Sequence, residues 1–188
     1  MSNITKKILK LAISKKSVFT ADELALAWKI TNKNVLRVMI NRSTKSNILK
    51  KIRRGIYSLN EKDVNVFELA CKLKKRSYIS FETVLSKAGI IFQWQDKIFL
   101  ASNRTSEIKN KYGKFVYRKI PDKALHSNDG IISKGNYFIA TEERALCDKV
   151  YKDGISYFDD LSGIDRKKIL PIAKLYNKRL EKDIRKII

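Results

Sequence analysis

The stretch LKKIRRGIYSL, residues 49–59, constrains the fold of this chain most, because it has the pattern of two short strands around a tight turn. β-Branched and aromatic residues lie on both sides of the turn and favour strands. Arg53-Arg54-Gly55 lies where a hairpin would turn, and glycine supplies the positive φ that a tight turn often needs. The stretch predicts a small hairpin with two guanidinium groups at its tip. The plainer alternative is a solvated hairpin in a lysine-rich protein.

Three helices are expected before the hairpin. Residues 4–13 place apolar side chains on one side at helical spacing, with lysines opposite. Thr20 and Glu23 fit a capping box, in which each side chain accepts a hydrogen bond from the other residue's backbone N–H. A second helix is therefore expected over residues 21–30. A polar break follows, and the third helix is expected from about residue 34 to residue 44.

The third helix has two different faces. One side is expected to face the core, because its residues follow the spacing i, i+3, i+4 and i+7: Leu36, Met39, Ile40 and Ser43. The opposite side is polar. In the major groove, an Arg side chain can form two hydrogen bonds to the edge of a guanine, and an Asn side chain can form two to the edge of an adenine. Arg37 and Asn41 are therefore candidates for base contacts. Asn34 and Lys45 are candidates for phosphate contacts. The alternative is an ordinary solvated helix face.

The order of these elements is that of a winged helix-turn-helix: a helix, a capped helix, a short turn, a polar-faced helix and a basic hairpin. The hairpin would be the wing, and its basic side chains would approach the minor groove or the phosphates of double-stranded DNA. The candidates in the wing are Lys50, Lys51, Arg53 and Arg54. The pattern predicts a DNA-binding domain over residues 1–62.

The charge of the chain is concentrated in the same region. The net charge is +22, and residues 1–62 carry 15 basic and 3 acidic side chains, whereas residues 63–164 have a net charge of only +4. Codon bias toward lysine would spread the charge evenly, so the concentration favours a polyanionic partner. The basic tail, residues 165–188, is either a solvated face or a second nucleic-acid contact.

Other features restrict the class of protein. No apolar run approaches the roughly 18 residues that span a bilayer, and the basic N-terminus lacks the cleavage site of a signal peptide. Cys71 and Cys147 have no CxxC partner, so neither a disulfide framework nor a zinc site is expected. We expect a cytoplasmic protein that has no contact with the membrane and no cofactor or metal.

Residues 63–188 are expected to form a mixed α/β domain, which makes the whole chain α+β. Ser80 is expected to cap a helix over residues 81–88 and Thr141 a helix over residues 142–154. Pro171 is expected to begin or kink a helix in the tail. A further helix is expected over 66–75, a short strand at 78–80, and other strands over 90–94, 97–102, 114–120 and 136–141.

Two regions resemble the AbiEi family, the antitoxins of abortive-infection (type IV) toxin–antitoxin systems. Arg53-Arg54-Gly55-Ile56-Tyr57 is similar to the hairpin motif that follows the family's N-terminal winged helix. Residues 139–148, IATEERALCD, are similar to the start of a helix in its second domain, with Glu142 where proline is usual. Tyr78-Ile79-Ser80 also resembles the start of that domain.

The resemblance implies a two-part protein. The winged helix would bind an operator in the protein's own promoter, where inverted repeats are expected, and would repress its own operon. The C-terminal domain would counter a cognate toxin of the nucleotidyltransferase type, with no need for a stable complex. The main alternative is a transcriptional regulator whose C-terminal domain senses a ligand or dimerises.

An enzyme is the least favoured interpretation. Asp96 with Glu107-Ile108-Lys109 loosely matches the carboxylate pattern of metal-dependent nucleases, but residues 107–111 have the pattern of a loop or helix end, whereas nucleases place such residues on a strand. His126, the single histidine, is expected on the surface in a polar loop. We therefore expect no catalytic activity.

Overall fold

The computed structural model describes residues 3–92 and 96–188, with side chains from residue 7 onward. It is a mixed α and β structure, as expected. The chain divides into two compact units, Met1–Leu73 and Lys74–Ile188. The division falls later than the expected boundary after residue 62. One reason is that Glu68 accepts hydrogen bonds from the backbone N–H and the hydroxyl of Ser17, which ties its helix to the first unit.

The first unit contains four helices and a small sheet within its described residues. The helices are α1 (Asn3–Ile13), α2 (Ala21–Trp28), α3 (Lys33–Lys45) and α4 (Val66–Leu73), and a 3₁₀ turn covers Glu61–Asp63. The strands are β1 (Phe19–Thr20), β2 (Lys50–Arg53) and β3 (Ile56–Ser58). They pair in the order β1-β3-β2, entirely antiparallel. The expected hairpin is therefore confirmed as β2 and β3.

Local sequence signals account for the position of α2. Thr20 Oγ1 accepts from the Glu23 backbone N–H at 3.2 Å, and Glu23 Oε2 accepts from the Thr20 N–H at 2.8 Å. The capping box is thus confirmed. The helix ends at Trp28, because Lys29 adopts a left-handed conformation with φ of 54°.

The core of the first unit lies between its helices and its sheet. The buried apolar side chains that form it are Leu11, Phe19, Leu24, Trp28, Ile40, Leu49 and Tyr57. Leu36 and Met39 on α3 pack against this cluster, as their spacing predicted. The Ile4 side chain, expected on the apolar side of the first helix, lies outside the described side chains.

The second unit is built on a six-stranded sheet with the order β6-β7-β5-β4-β9-β8. Strands β4 with β9 and β5 with β7 are parallel, and the other pairs are antiparallel. The strands are β4 (Tyr78–Ile79), β5 (Lys97–Ser102), β6 (Ser106–Asn110), β7 (Gly113–Lys119), β8 (Ile131–Ser133) and β9 (Phe138–Ala140). The helices are α5 (Glu82–Leu85), α6 (Asp122–His126), α7 (Glu142–Asp153), α8 (Arg166–Ala173) and α9 (Lys178–Ile187).

The strand predictions for this unit were partly wrong. Residues 90–92 are not a strand, and the rest of the expected strand over 90–94 lies outside the described residues. Residues 107–111 were expected as a loop or helix end, but residues 107–110 lie on the edge strand β6. Only Ile108 and Asn110 of this strand are even half-buried, so its charged, exposed side chains conceal the strand pattern.

The cap predictions had opposite outcomes. Thr141 caps α7, since its hydroxyl accepts from the Arg144 backbone N–H at 3.3 Å. Ser80 does not cap a helix; its hydroxyl donates to Asp148 Oδ2 at 2.6 Å, and α5 starts after Phe81 with no side-chain cap. Pro171 lies inside α8 and does not begin it.

Candidate nucleic-acid interface

The helix α3 presents its predicted polar side to solvent. Asn32 caps the helix, because its side-chain oxygen accepts from the backbone N–H groups of residues 34 and 35. Asn34, Arg37, Asn41 and Lys45 are all exposed. Their spacing of three and four residues keeps them on one side of the helix, opposite the apolar side that faces the core.

The hairpin carries its cations on exposed positions. Arg53 pairs with Ile56 across a two-residue turn formed by Arg54 and Gly55. Gly55 has a φ of 83°, a left-handed conformation that is strained for residues with a side chain. Arg53, Arg54 and Lys51 are exposed and Lys50 is half-buried. On the other strand, β3, all three side chains are buried.

The helix and the hairpin meet at a groove of about 370 Å³. Four of the eight predicted site residues line it: Arg37, Asn41, Lys51 and Arg54. The other four lie outside its lining: Asn34, Lys45, Lys50 and Arg53. The structure therefore brings guanidinium, ammonium and amide groups from the helix and from the hairpin that follows it to one concave surface.

Lys33 and Thr44 also line the groove and were not predicted. Lys33 lies one turn before Arg37 on α3, so the same helical spacing points to it. It was missed because the helix was expected to start at residue 34. With Lys33 included, four basic side chains line the groove: Lys33, Arg37, Lys51 and Arg54.

The electrostatics of the groove favour an anion. No acidic residue is among its described lining residues. Glu23 forms ion pairs elsewhere, with Lys16 at 2.6 Å and Lys72 at 2.9 Å. Burial raises the pKa of Glu23, but hydrogen bonds from Lys16, the Thr20 backbone and Lys72 outweigh it and bring the pKa down to about 2. The Glu23 carboxylate is thus held ionised by partners that do not line the groove.

The residues of the nuclease pattern do not form a metal site. Asp96 pairs with Lys114 at 2.5 Å, and this hydrogen bond lowers the pKa of the carboxyl. Glu107 and Lys109 lie on β6 and are exposed. Within residues 3–92 and 96–188, no group of three or more His, Cys, Asp or Glu side chains is arranged to hold a metal ion. His126 is exposed at the end of α6, a helix where a polar loop was expected.

The motif at residues 139–148 places a buried polar network in the second unit. Asp148 is completely buried on α7, and its carboxylate accepts hydrogen bonds from the hydroxyls of Tyr78, Ser80 and Tyr176. Burial raises the pKa of this carboxyl. Cys147 beside it is a buried free thiol, and burial raises its pKa as well. Sequence spacing alone did not identify this network, since Asp148 is 68 residues from Ser80.

No helix in the described part of the chain is long and apolar enough to cross a membrane. Comparison with family models finds no match to this chain. Comparison with curated proteins finds no match either.

Proposed function

We propose that the first unit is a winged helix-turn-helix that binds double-stranded DNA. In this proposal α3 is the recognition helix, which enters the major groove, and the β2–β3 hairpin is the wing. The observation that carries the proposal is the groove shared by Arg37, Asn41, Lys51 and Arg54. A helix that reads bases and a basic hairpin beside it are the two contacts that this class of domain makes with DNA.

The chemistry of each side chain suggests its role. Arg37 and Asn41 would bond to base edges, because a guanidinium matches guanine and an amide matches adenine. Lys51 and Arg54 would bond to phosphates on the hairpin side of the same groove. Asn34, Lys45, Lys50 and Arg53, which are outside the lining of the groove, would contact the flanking phosphates.

We further propose that the protein is an antitoxin of a type IV, AbiE-like system. It would repress its own operon through the first unit and would counter a nucleotidyltransferase-type toxin through the second, without catalysis. The support is the resemblance to the AbiEi family at the hairpin and at residues 139–148. The side chains of Arg144 and Asp148 within that second motif are buried, so this likeness concerns the core of the unit.

The DNA-binding part is tested by a gel shift of the full chain on DNA from upstream of its own gene, at several salt concentrations. We expect tighter binding to this DNA than to a shuffled sequence of equal length and composition. The Arg37→Ala, Arg54→Ala double variant should bind more weakly and with a reduced preference. Equal binding to both DNA molecules at every salt concentration would refute sequence-specific recognition.

A separate assay distinguishes an antitoxin from a simple transcriptional regulator. The nucleotidyltransferase-type toxin gene that this proposal places beside the gene of this protein is expressed in cells with or without this protein, each from an unrelated promoter. We expect this protein to restore growth, and the Arg37→Ala, Arg54→Ala variant to restore it equally, because repression plays no part in that assay. Failure of the wild-type chain to restore growth would favour the regulator.

A further inference from the structure

A second pocket lies on the other side of α3 from the groove. Its volume is about 430 Å³, which is within the range of roughly 300–1,000 Å³ typical of small-molecule sites. The described residues that line it come from α1, α2, α3 and the segment after α3, and they include Lys7, Trp28, Met39, Arg42 and Ser43. The pocket therefore has an apolar interior with two cations.

Trp28 provides a hydrogen-bond donor with no partner. Its side chain is 6% exposed, and its Nε1 is buried with no hydrogen-bond partner among the described residues. A buried indole N–H without an acceptor is destabilising relative to a bonded one. Because Nε1 itself is buried, a ligand in the pocket would lie against the indole ring, and the N–H resonance would report that contact.

The two cations of the pocket also lack acidic partners within the described side chains. Lys7 Nζ lies 3.4 Å from the sulfur of Met39, so the ammonium reaches from α1 to α3 without meeting a carboxylate. Arg42 is exposed on α3 and forms no ion pair with any described residue. An anionic group between α1 and α3 would complement both charges.

We propose that this pocket binds a small aromatic or aliphatic carboxylate, with its apolar body against Trp28 and Met39 and its anionic group between Lys7 and Arg42. The carboxylate class fits both features of the pocket: the apolar lining and the two cations, which have no acidic partner among the side chains described.

The pocket and the groove share one helix. Met39, Arg42 and Ser43 line the pocket, whereas Arg37 and Asn41 line the groove. A ligand that moves α3 would therefore change the position of both groove residues. This regulatory consequence rests on the proposed DNA binding, but the binding of the carboxylate does not.

The test uses the full chain and naphthoate as the probe, with neutral naphthylmethanol as its matched control. NMR follows the indole N–H resonance of Trp28, which is distinguished from that of Trp94 by a Trp94→Phe variant. We expect naphthoate to shift the Trp28 resonance saturably and to bind at least about tenfold more tightly than the alcohol. A Lys7→Gln, Arg42→Gln double variant should remove this difference, and Lys10→Gln, an exposed position on α1 outside the lining, should retain it.

Two results would overturn the proposal. One is an unmoved Trp28 resonance at millimolar naphthoate; the other is equal affinity for the acid and the alcohol. A Ser43→Phe variant, which fills the pocket, should abolish the shift, and if that variant does not fold the double variant decides. The effect of naphthoate on DNA affinity is measured separately by gel shift, so a failure of DNA binding leaves the result for the pocket intact.

Discussion

Arg144 and Asp148 lie one turn apart on α7, both completely buried, yet Arg144 Nε is 3.8 Å from the nearest carboxylate oxygen. The Tyr78 hydroxyl lies between the two charges: it accepts from Arg144 Nε at 3.0 Å and donates to Asp148 Oδ2 at 3.0 Å. The guanidinium also donates to the carbonyls of Ala124 and Asp129. Each charge is thus satisfied mainly by neutral groups, and a tyrosine connects them.

This arrangement predicts a large effect of Asp148→Asn. The substitution keeps the shape of the side chain but leaves the Arg144 charge buried without its counterion. We expect the free energy of unfolding to fall by about 3 kcal/mol, measured by urea unfolding followed by circular dichroism. Glu142→Gln, at an exposed position on the same helix, is the matched control and should change little. A loss below about 1 kcal/mol for Asp148→Asn would show that the ion pair contributes little.

Arg37→Ala should weaken specific DNA binding by about 1–3 kcal/mol and relax the preference at one base pair. The reason is that the guanidinium lies on the exposed side of α3 and lines the groove. Gel shifts on a set of operators, each with one base pair changed, measure both effects. Lys62→Ala, on the exposed 3₁₀ turn, serves as the control for a lost charge. Unaltered affinity and preference would mean that another face of α3 reads the bases.

Replacement of both Arg53 and Arg54 by glutamine should act differently. Because phosphate contacts release counterions, the affinity should fall for all sequences, and the slope of log affinity against log salt should flatten by about 1–2. Binding measured at four or more salt concentrations gives this slope. If the slope of the double variant matched that of the wild type, the hairpin would not be part of the interface.

The stability of the first unit should depend on pH through Glu23. Its folded pKa, about 2, is below the ordinary value of 4.5, so the unfolded chain binds a proton more readily. The ionised carboxylate therefore stabilises the fold above about pH 4.5, and that stabilisation is lost as the pH falls toward 2. With screening by solvent, the contribution is about 1 kcal/mol.

Urea unfolding of the wild type and of Glu23→Gln at a series of pH values measures this contribution. The wild type should be the more stable at pH 6, and the difference should shrink as the pH falls from about 4.5 toward 2. A difference that stays constant across this interval would assign the effect of the substitution to packing.

Sequence patterns predicted the features of the fold that depend on near neighbours. The caps at Thr20 and Thr141 need only a residue three positions away, and the hairpin needs only a turn between two apolar runs. Ser80 was misassigned because its partner, Asp148, is distant in sequence. The strand β6 was missed because an edge strand with exposed, charged side chains has little of the apolar pattern that identifies strands.

In the candidate site, too, the sequence predicted what depends on near neighbours and missed what depends on packing between elements. Helical spacing alone placed Asn34, Arg37, Asn41 and Lys45 on one exposed side of α3. Spacing could not show that Lys51 and Arg54 line a groove with Arg37, because that depends on how the hairpin packs on the helix. It also gave no sign of the pocket at Trp28, which requires four separate segments to meet.

The hydroxyl donors around Asp148 have a consequence for the order of events during synthesis. Tyr78 precedes Asp148 by 70 residues, and Tyr176 follows it by 28. A ribosome that has just released α7 from its exit tunnel has delivered the carboxylate and two of its donors, but the third is still inside. The second unit therefore cannot complete its native interior while its last two helices are still inside the tunnel, and a nascent chain paused there has an unfinished polar site.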